Sequence, residues 1–194
     1  KTARSLLWSR RPPSGWRREK KRRMRSGKQL RKIRQCHFRY CLFLTDLAPW
    51  YTEHVDKKFV DYRNRLMFIL TQESSLLEIV KLIGSDVLPD DQKLILEIAR
   101  VIRVGFLQQN AFHADDTCVP MSKQFKMMEI ILYLYQKSRA LISMGMPMSV
   151  LKEDPIFDKV IAMKYDIPNN KPEMFDDYYK AIDAFYDEVI AKNA

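Results

Sequence analysis

The sequence predicts an all-α fold, an antiparallel helical bundle that follows a basic N-terminal arm. From residue 46 onward, apolar residues return every three or four positions, which is the period of a helix buried on one face. No segment shows the alternation of apolar and polar residues that a half-buried strand requires. Helices that are apolar on one side bury that side against each other, and a bundle achieves this.

The first predicted helices lie between residues 59 and 110. One apolar face consists of Phe59, Tyr62, Leu66, Ile69 and Leu70, and a separate element with Leu76, Leu77, Val80, Leu82 and Ile83 follows and ends at Gly84. Pro89 with Asp90 and Asp91 predicts the first turn of the next helix, because proline suits that position and carboxylates favour the positive end of the helix dipole. We expect this helix to end between Gly105 and Asn110.

The longest helix is expected over residues 123–143, with Ser122 as its N-cap. Its apolar residues form two stripes, so the helix should be central in the bundle. Gly145 and Pro147 end it. Two further helices begin at Asp154-Pro155 and at Lys171-Pro172, and the last carries an aromatic-rich face.

The N-terminal arm, residues 1–41, differs from the rest in charge. Residues 1–40 hold 16 of the 34 Lys and Arg and one acid, Glu19, a net charge of +15, whereas the remaining 18 bases and 23 acids give −5. Such self-repulsion with few apolar residues predicts disorder or a frayed helix. A basic run around Trp16 also suits single-stranded nucleic acid, so a nucleic-acid-binding role through the arm stands beside a solvated or non-native tail.

Several kinds of protein are excluded or disfavoured by what the sequence lacks. No apolar run is long enough for a membrane-spanning helix, the first residues do not suggest a secretory signal and we expect none, and the three cysteines favour a reduced, cytosolic setting. The phosphate-binding P-loop pattern is missing, because the single Gly-Lys pair, Gly27-Lys28, has Gln29 where a hydroxyl belongs. We therefore expect no catalytic residue in this chain and no ATP hydrolysis by the chain alone.

Metal binding has weak support. Cys36 and Cys41 have the same spacing as His113 and Cys118, so these four could in principle hold zinc, although incidental thiols explain the pattern more simply. The scattered acids Asp61, Asp115 and Asp116 are expected to be solvated surface residues.

Two stretches are richer in chemistry than the rest. Phe106-Leu107-Gln108-Gln109-Asn110-Ala111-Phe112-His113 places two rings and two amide side chains where a helix ends. Rings can sandwich a base and amides can read its edge, with ordinary packing of a helix end as the alternative. The other stretch, Leu47-Ala48-Pro49-Trp50-Tyr51, is expected to fasten the edge of the domain.

Taken together, four stretches resemble the C-terminal helical domain of the catalytic A subunit (alpha chain) of archaeal and vacuolar-type rotary ATP synthases. They are Asp46-Leu47-Ala48-Pro49-Trp50-Tyr51, Gly84-Ser85-Asp86, the Phe106 to His113 stretch above, and Lys123-Gln124-Phe125-Lys126-Met127-Met128. The resemblance covers residues 42–194, which we interpret as one helical domain. Residues 1–35 match nothing in the family, so we expect a truncated chain that lacks its nucleotide-binding domain.

The resemblance implies a lever function. In that family the helical domain closes the adenine side of the ATP site, and it swings to couple ATP synthesis or hydrolysis to rotation of the central stalk and to ion transport. Phe112 would lie against the adenine, with Gln109 and Asn110 nearby. The turn between two helices would contact the rotor through Asp86, Leu88, Pro89, Asp90 and Asp91.

The resemblance also implies partners and a location. The partners would be the remainder of the A subunit, the B subunits and the central-stalk subunits. ATP or ADP with magnesium would bind only in the complete subunit. The chain would be cytoplasmic and peripheral to the membrane through the complex.

Overall fold

The computed structural model describes residues 44–193, and all regular structure within them is helical. The elements are α1 Leu44–His54, α2 Phe59–Ile83, α3 Asp90–Val101 with a π-helical turn Ile102–Leu107, α4 Ala114–Thr117, α5 Met121–Ser143, α6 Met148–Glu153, α7 Ile156–Asp166, a 3-10 turn Pro172–Met174, and α8 Phe175–Asn193. The all-α prediction is confirmed. The basic arm, with Cys36 and Cys41, lies outside the described residues.

Helix α5 is at the centre of the bundle, as its two apolar stripes predict. It packs against α2, α3, α7 and α8, and Met127, Met128, Ile130, Ile131 and Leu134 are fully buried on it. The predicted N-cap is wrong, because the helix begins at Met121 with Pro120 in the cap position. The fixed backbone torsion of proline starts the helix two residues earlier than the Ser122 hydroxyl would.

The predicted break between two elements in residues 59–83 is also wrong, because α2 is one helix of 25 residues. The polar residues 71–75 interrupt the apolar face, but none of them is a proline or glycine that would stop a helix. Leu76 is buried, whereas Leu77, Leu82 and Ile83 beyond it are exposed. The last two turns of α2 therefore extend past the core. Gly84 ends the helix, as predicted, with φ of 86°.

Helix α3 and its π-helical turn form a rod through the domain. The rod contacts α2, α5, α6 and α7. It begins directly after residues 84–89 and ends at Leu107, so the two predicted site regions lie at its opposite ends. Eighteen helical residues span roughly 25 Å.

At the domain edge, Tyr51 of α1 stacks on Phe59 at the start of α2, with ring centroids 4.5 Å apart. This confirms that the aromatic stretch of α1 fastens the edge. Across the described residues, no helix combines the length and the apolar character that spanning a membrane requires.

Candidate functional site

The exit loop, residues 108–120, follows the rod and is organised around a buried carboxylate. Asp116 is fully buried, and its Oδ2 accepts a hydrogen bond from the backbone N–H of Asn110 at 2.5 Å. The Gln109 side-chain amide donates to the backbone carbonyl oxygen of Asp116 at 3.3 Å. The expectation that Asp116 is solvated is thus wrong, because its carboxylate ties the start of the loop to its end. Asp115 is half-buried and accepts the N–H of Asn169.

Further side chains shape the tip of the exit loop. Asn110 Oδ1 accepts the backbone N–H of Phe112 at 3.0 Å, which makes a tight Asx turn. The Thr117 hydroxyl donates to the carbonyl oxygen of His113 at 2.7 Å and lies 3.1 Å from that of Ala111. Gln109 and Asn110 are half-buried, and these contacts use their side chains to hold the loop. Reading of a base edge by either amide stays a prediction.

The two rings of the Phe106 to His113 stretch have opposite environments. Phe106 is 2% exposed and belongs to the core, whereas Phe112 is 96% exposed at the loop tip. The prediction that both rings are available to a ligand is therefore wrong for Phe106, which packs as an ordinary helix end does. For Phe112 the opposite holds. Its ring is held outward by a hydrogen-bonded loop and lacks the burial that normally stabilises a phenylalanine.

Two buried lysines that the sequence did not single out lie beside the end of the rod, and one of them, Lys164, contacts it directly. Lys164 of α7 donates to the carbonyl oxygens of Val104 and Gln108, and Lys123 of α5 donates to those of Lys164 and Ile167. The spacing of residues on α7 could have indicated the burial of Lys164, because Lys164 lies one turn after Val160 on the apolar face of the helix.

The loop supplies no evidence of a metal centre. Cys118 is exposed, and the His113 ring lies 4.9 Å from that of Tyr165. Among residues 44–193, no three His, Cys, Asp or Glu side chains are grouped so that they could hold a metal ion. The other two proposed zinc ligands fall outside this range.

The rotor turn, residues 84–91, is at the other end of the rod. Leu88 is 4% exposed and fastens the turn to the core. Asp86, Pro89 and Asp91 are exposed, and Asp90 pairs with Lys93 at 3.5 Å. The end of α2 and the turn also expose three apolar side chains, here called the apolar rim: Leu82 (85%), Ile83 (53%) and Val87 (69%). From the sequence, Leu82 and Ile83 were expected on a packed helix, so this exposed surface was not predicted.

Two cavities lie elsewhere, along the groove between α2 and α5. Their volumes are about 510 and 390 Å³, and Arg65, Leu132 and Gln136 line both. Burial is the main cause that raises the pKa of Tyr179 well above its usual range. Two of the basic groups that line the cavities are paired, since Arg65 contacts Asp61 and Lys126 contacts Glu129, each at 2.9 Å. Neither cavity includes a residue of the rotor turn or the exit loop.

Comparison with known proteins places both predicted site regions inside a recognised domain. A family model described as the C-terminal domain of V and A type ATP synthase matches residues 48–150. This range contains the rotor turn, the rod and the exit loop.

Curated relatives extend the similarity over most of the chain. A V-type ATP synthase alpha chain 2 from Clostridium tetani is 45% identical over 151 residues, which cover 78% of this chain and 25% of the relative. A V-type ATP synthase alpha chain from Halothermothrix orenii is 44% identical over 150 residues (77% and 25%). The A subunit of an A-type ATP synthase from Methanopyrus kandleri is 39% identical over 152 residues (78% and 26%). The chain thus spans about a quarter of the length of these relatives.

Proposed function

Because this chain belongs to the family of C-terminal domains of V- and A-type ATP synthases, we propose that it acts as the lever domain of a catalytic A subunit. In this proposal the exit loop closes the adenine side of the ATP site. The rotor turn contacts the central stalk. The rod between them couples ATP synthesis or hydrolysis to rotation and ion transport.

The exposure of Phe112 is the observation that carries the nucleotide part of the proposal. A phenylalanine exposed almost completely at the tip of a fixed loop has a free aromatic face, and a base can stack on such a face. Alanine substitution at stacking positions typically costs ~1–3 kcal/mol of binding free energy. The loop is already ordered by Asp116 and Asn110, so little conformational entropy has to be lost when a base binds.

The mechanical part of the proposal depends on the rod. A helix that packs on four neighbouring helices, α2, α5, α6 and α7, moves as a unit with the bundle, because packed interiors have low compressibility. The apolar rim gives the rotor turn a surface that prefers contact with another protein to contact with water. We infer that the shape of the apolar rim, more than the charge of the three aspartates, makes the contact with the stalk. Charges at the edge of a protein interface typically contribute little to its binding free energy.

The remaining components would come from the rest of the enzyme. Phosphoryl transfer requires cations positioned around the β- and γ-phosphates, and we assign the P-loop and the magnesium ligands to the nucleotide-binding part of an A subunit. The B subunits and the central stalk are the other proposed partners. Through them the domain would sit at the cytoplasmic face of the membrane, peripheral to it.

Photolabelling tests the nucleotide contact. An azidoadenine analogue of ATP, bound to a complete A subunit that carries this domain and is in complex with B subunits, should label a peptide that contains Phe112 after illumination. Excess ATP should prevent the labelling. Efficient, ATP-protected labelling confined to peptides outside residues 108–118 would contradict the proposal.

A further inference from the structure

Lys164 joins helix α7 to the far end of the rod. Its side chain is buried, with the residue only 2% exposed. The ammonium group donates to the carbonyl oxygen of Val104 at 2.6 Å and to that of Gln108 at 2.9 Å. Val104 belongs to the π-helical turn and Gln108 is the first residue of the exit loop, so one side chain connects the last helical turn to the loop.

The environment of Lys164 compensates for the burial of a charge. The end of a helix leaves backbone carbonyls without partners and carries partial negative charge, so a cation is favoured there. The ring of Tyr165 lies 4.7 Å from the ammonium nitrogen, which adds a cation–π contact. The same ring faces His113 in the exit loop. Lys164 thus holds the last helical turn through the Val104 carbonyl, and it acts on the loop through the Gln108 carbonyl and through a neighbouring ring.

Gly105 allows α7 to approach the rod closely enough for the Lys164 ammonium group to contact the carbonyl oxygens of Val104 and Gln108. A Cβ atom added to Gly105 would lie 3.2 Å from the Cα atom of Ile161, tighter than ordinary contacts allow. Ile161 and Lys164 are three residues apart and share a face of α7. The close approach at Gly105 therefore sets the distance between Lys164 and the carbonyl groups that it binds.

Lys123 fixes the helix from which Lys164 extends. Its ammonium group donates to the carbonyl oxygens of Lys164 at 3.2 Å and of Ile167 at 2.5 Å, at the end of α7. Lys123 is in the first turn of the central helix α5 and is 4% exposed. The chain of contacts runs from the centre of the bundle through α7 to the exit loop.

We propose that Lys164 is the positioning residue of the exit loop, which holds Phe112 in the orientation that receives the base. The inference rests on the proposed function for the identity of the ligand, and on the contacts above for the role of the lysine. Lys164 does not itself contact nucleotide in this account. It acts through the backbone of residues 104–108.

Hydrogen exchange of the whole chain tests the role without nucleotide. The variant Lys164→Met keeps an unbranched apolar side chain of similar length but lacks the ammonium group. We expect the amides of Gln108, Asn110 and Phe112 to exchange about 10- to 100-fold faster, because hydrogen bonds to a charged group are among the stronger ones. Amides of α2 and α5 should keep their rates. Lys159→Met, an exposed lysine of the same helix, is the matched control, and Lys164→Arg should restore much of the protection.

Unchanged exchange of the loop amides in folded Lys164→Met, or equal acceleration throughout the bundle, would overturn the proposal. If Lys164→Met does not fold, Gly105→Ala provides the second test, since the added Cβ would lie 3.2 Å from the Cα of Ile161 and the backbone of α7 would have to shift by a few tenths of an ångström. The same loop amides should then exchange faster than those of α5, and uniform rates would again contradict the role.

A nucleotide measurement separates this inference from the proposed function. In a complete A subunit in complex with B subunits, Lys164→Met should raise the KM for ATP and leave the unfolding midpoint of the nucleotide-binding part unchanged. A loosened loop with an unchanged KM would support the positioning role of Lys164 and contradict the adenine contact. A rigid loop would contradict the positioning role whatever the KM.

Discussion

The two ends of the rod are built differently. The exit loop is cross-linked by side chains: Asp116, Asn110 and Thr117 bind its backbone, and Lys164 binds its first carbonyl. The rotor turn has few such links. One Ser85 to Asp86 contact at 3.2 Å lies within it, and Leu88 fastens it to the core.

The difference indicates two kinds of task. A loop that presents one ring to a small ligand needs a fixed geometry, which hydrogen bonds supply because they are directional. A surface that contacts another protein needs area more than direction, and the apolar rim supplies it. Each prediction below tests one side of this comparison, in order of the expected change in unfolding free energy.

The largest effect on stability is expected from Phe106, the buried ring at the end of the rod, with the exposed ring of Phe112 as its control. Phe106→Ala should lower the unfolding free energy by ~3–5 kcal/mol, because it removes a buried ring and leaves a cavity. Phe112→Ala should change it by less than about 0.5 kcal/mol, because the ring is exposed. Urea denaturation of the chain measures both. A comparable loss in the two variants would show that Phe112 packs in solution.

The second largest loss of unfolding free energy is expected from the buried carboxylate of Asp116. Asp116→Ala leaves the N–H of Asn110 without its acceptor, and an unsatisfied buried donor costs ~1–3 kcal/mol. The loss should appear in the urea midpoint, together with faster exchange of the loop amides. Asp86→Ala, in the exposed turn, is the control and should change stability little. Equal midpoints for the two variants would contradict the difference between the ends of the rod.

Substitution of Gly84 should lower the unfolding free energy by a similar or smaller amount than substitution of Asp116. Its φ of 86° and ψ of 163° lie in a region that only glycine adopts readily. Gly84→Ala should therefore destabilise the chain by ~1–2 kcal/mol, although no atom lies within 4 Å of the added Cβ. Ser85→Ala serves as the control. A neutral Gly84→Ala would mean that the turn adjusts freely, which a stiff rotor contact should not do.

The smallest change in stability is expected from the charges of the rotor turn. Asp86, Asp90 and Asp91 changed together to Ala should alter the unfolding free energy by about 1 kcal/mol or less, because Asp86 and Asp91 are exposed and half-buried Asp90 makes only an ion pair near the surface, with Lys93. In a complete rotary enzyme this variant should keep most of its torque, whereas Leu82→Ser with Val87→Ser, or deletion of residues 85–90, should lower it. If the charge variant loses torque and the apolar variant does not, charge and not shape makes the contact.

The start of the rod was predicted well, because neighbouring residues in the sequence determine where this helix begins. Pro89 with the two aspartates marks its start, and the structure begins α3 at Asp90. The single long α2 was not predicted, because a polar interruption of the apolar face resembles a boundary when no neighbour is known. The apolar rim was missed for the same reason, since apolar spacing does not reveal where the core ends.

The chemistry of the exit loop was predicted only in part. The stretch around Phe112 was recognisable from its residue types, but the burial of Asp116 depends on how the loop folds back over six residues. Lys164 and Gln108 are 56 residues apart in sequence, so their contact depends on the packing of α7 on the rod. No local pattern predicts such a contact.

The central claim is that the Phe112 ring receives the adenine, and nucleotide affinity tests it most directly. The Kd for ATP should be measured in a complete A subunit that carries this domain and is in complex with B subunits. The measurement compares the unchanged domain with its Phe112→Ala and Phe112→Trp variants. The account predicts about 10- to 100-fold weaker binding for the alanine variant and near-normal binding for tryptophan, because a stacked base contributes ~1–3 kcal/mol. An unchanged Kd for the alanine variant, at unchanged stability, would contradict it.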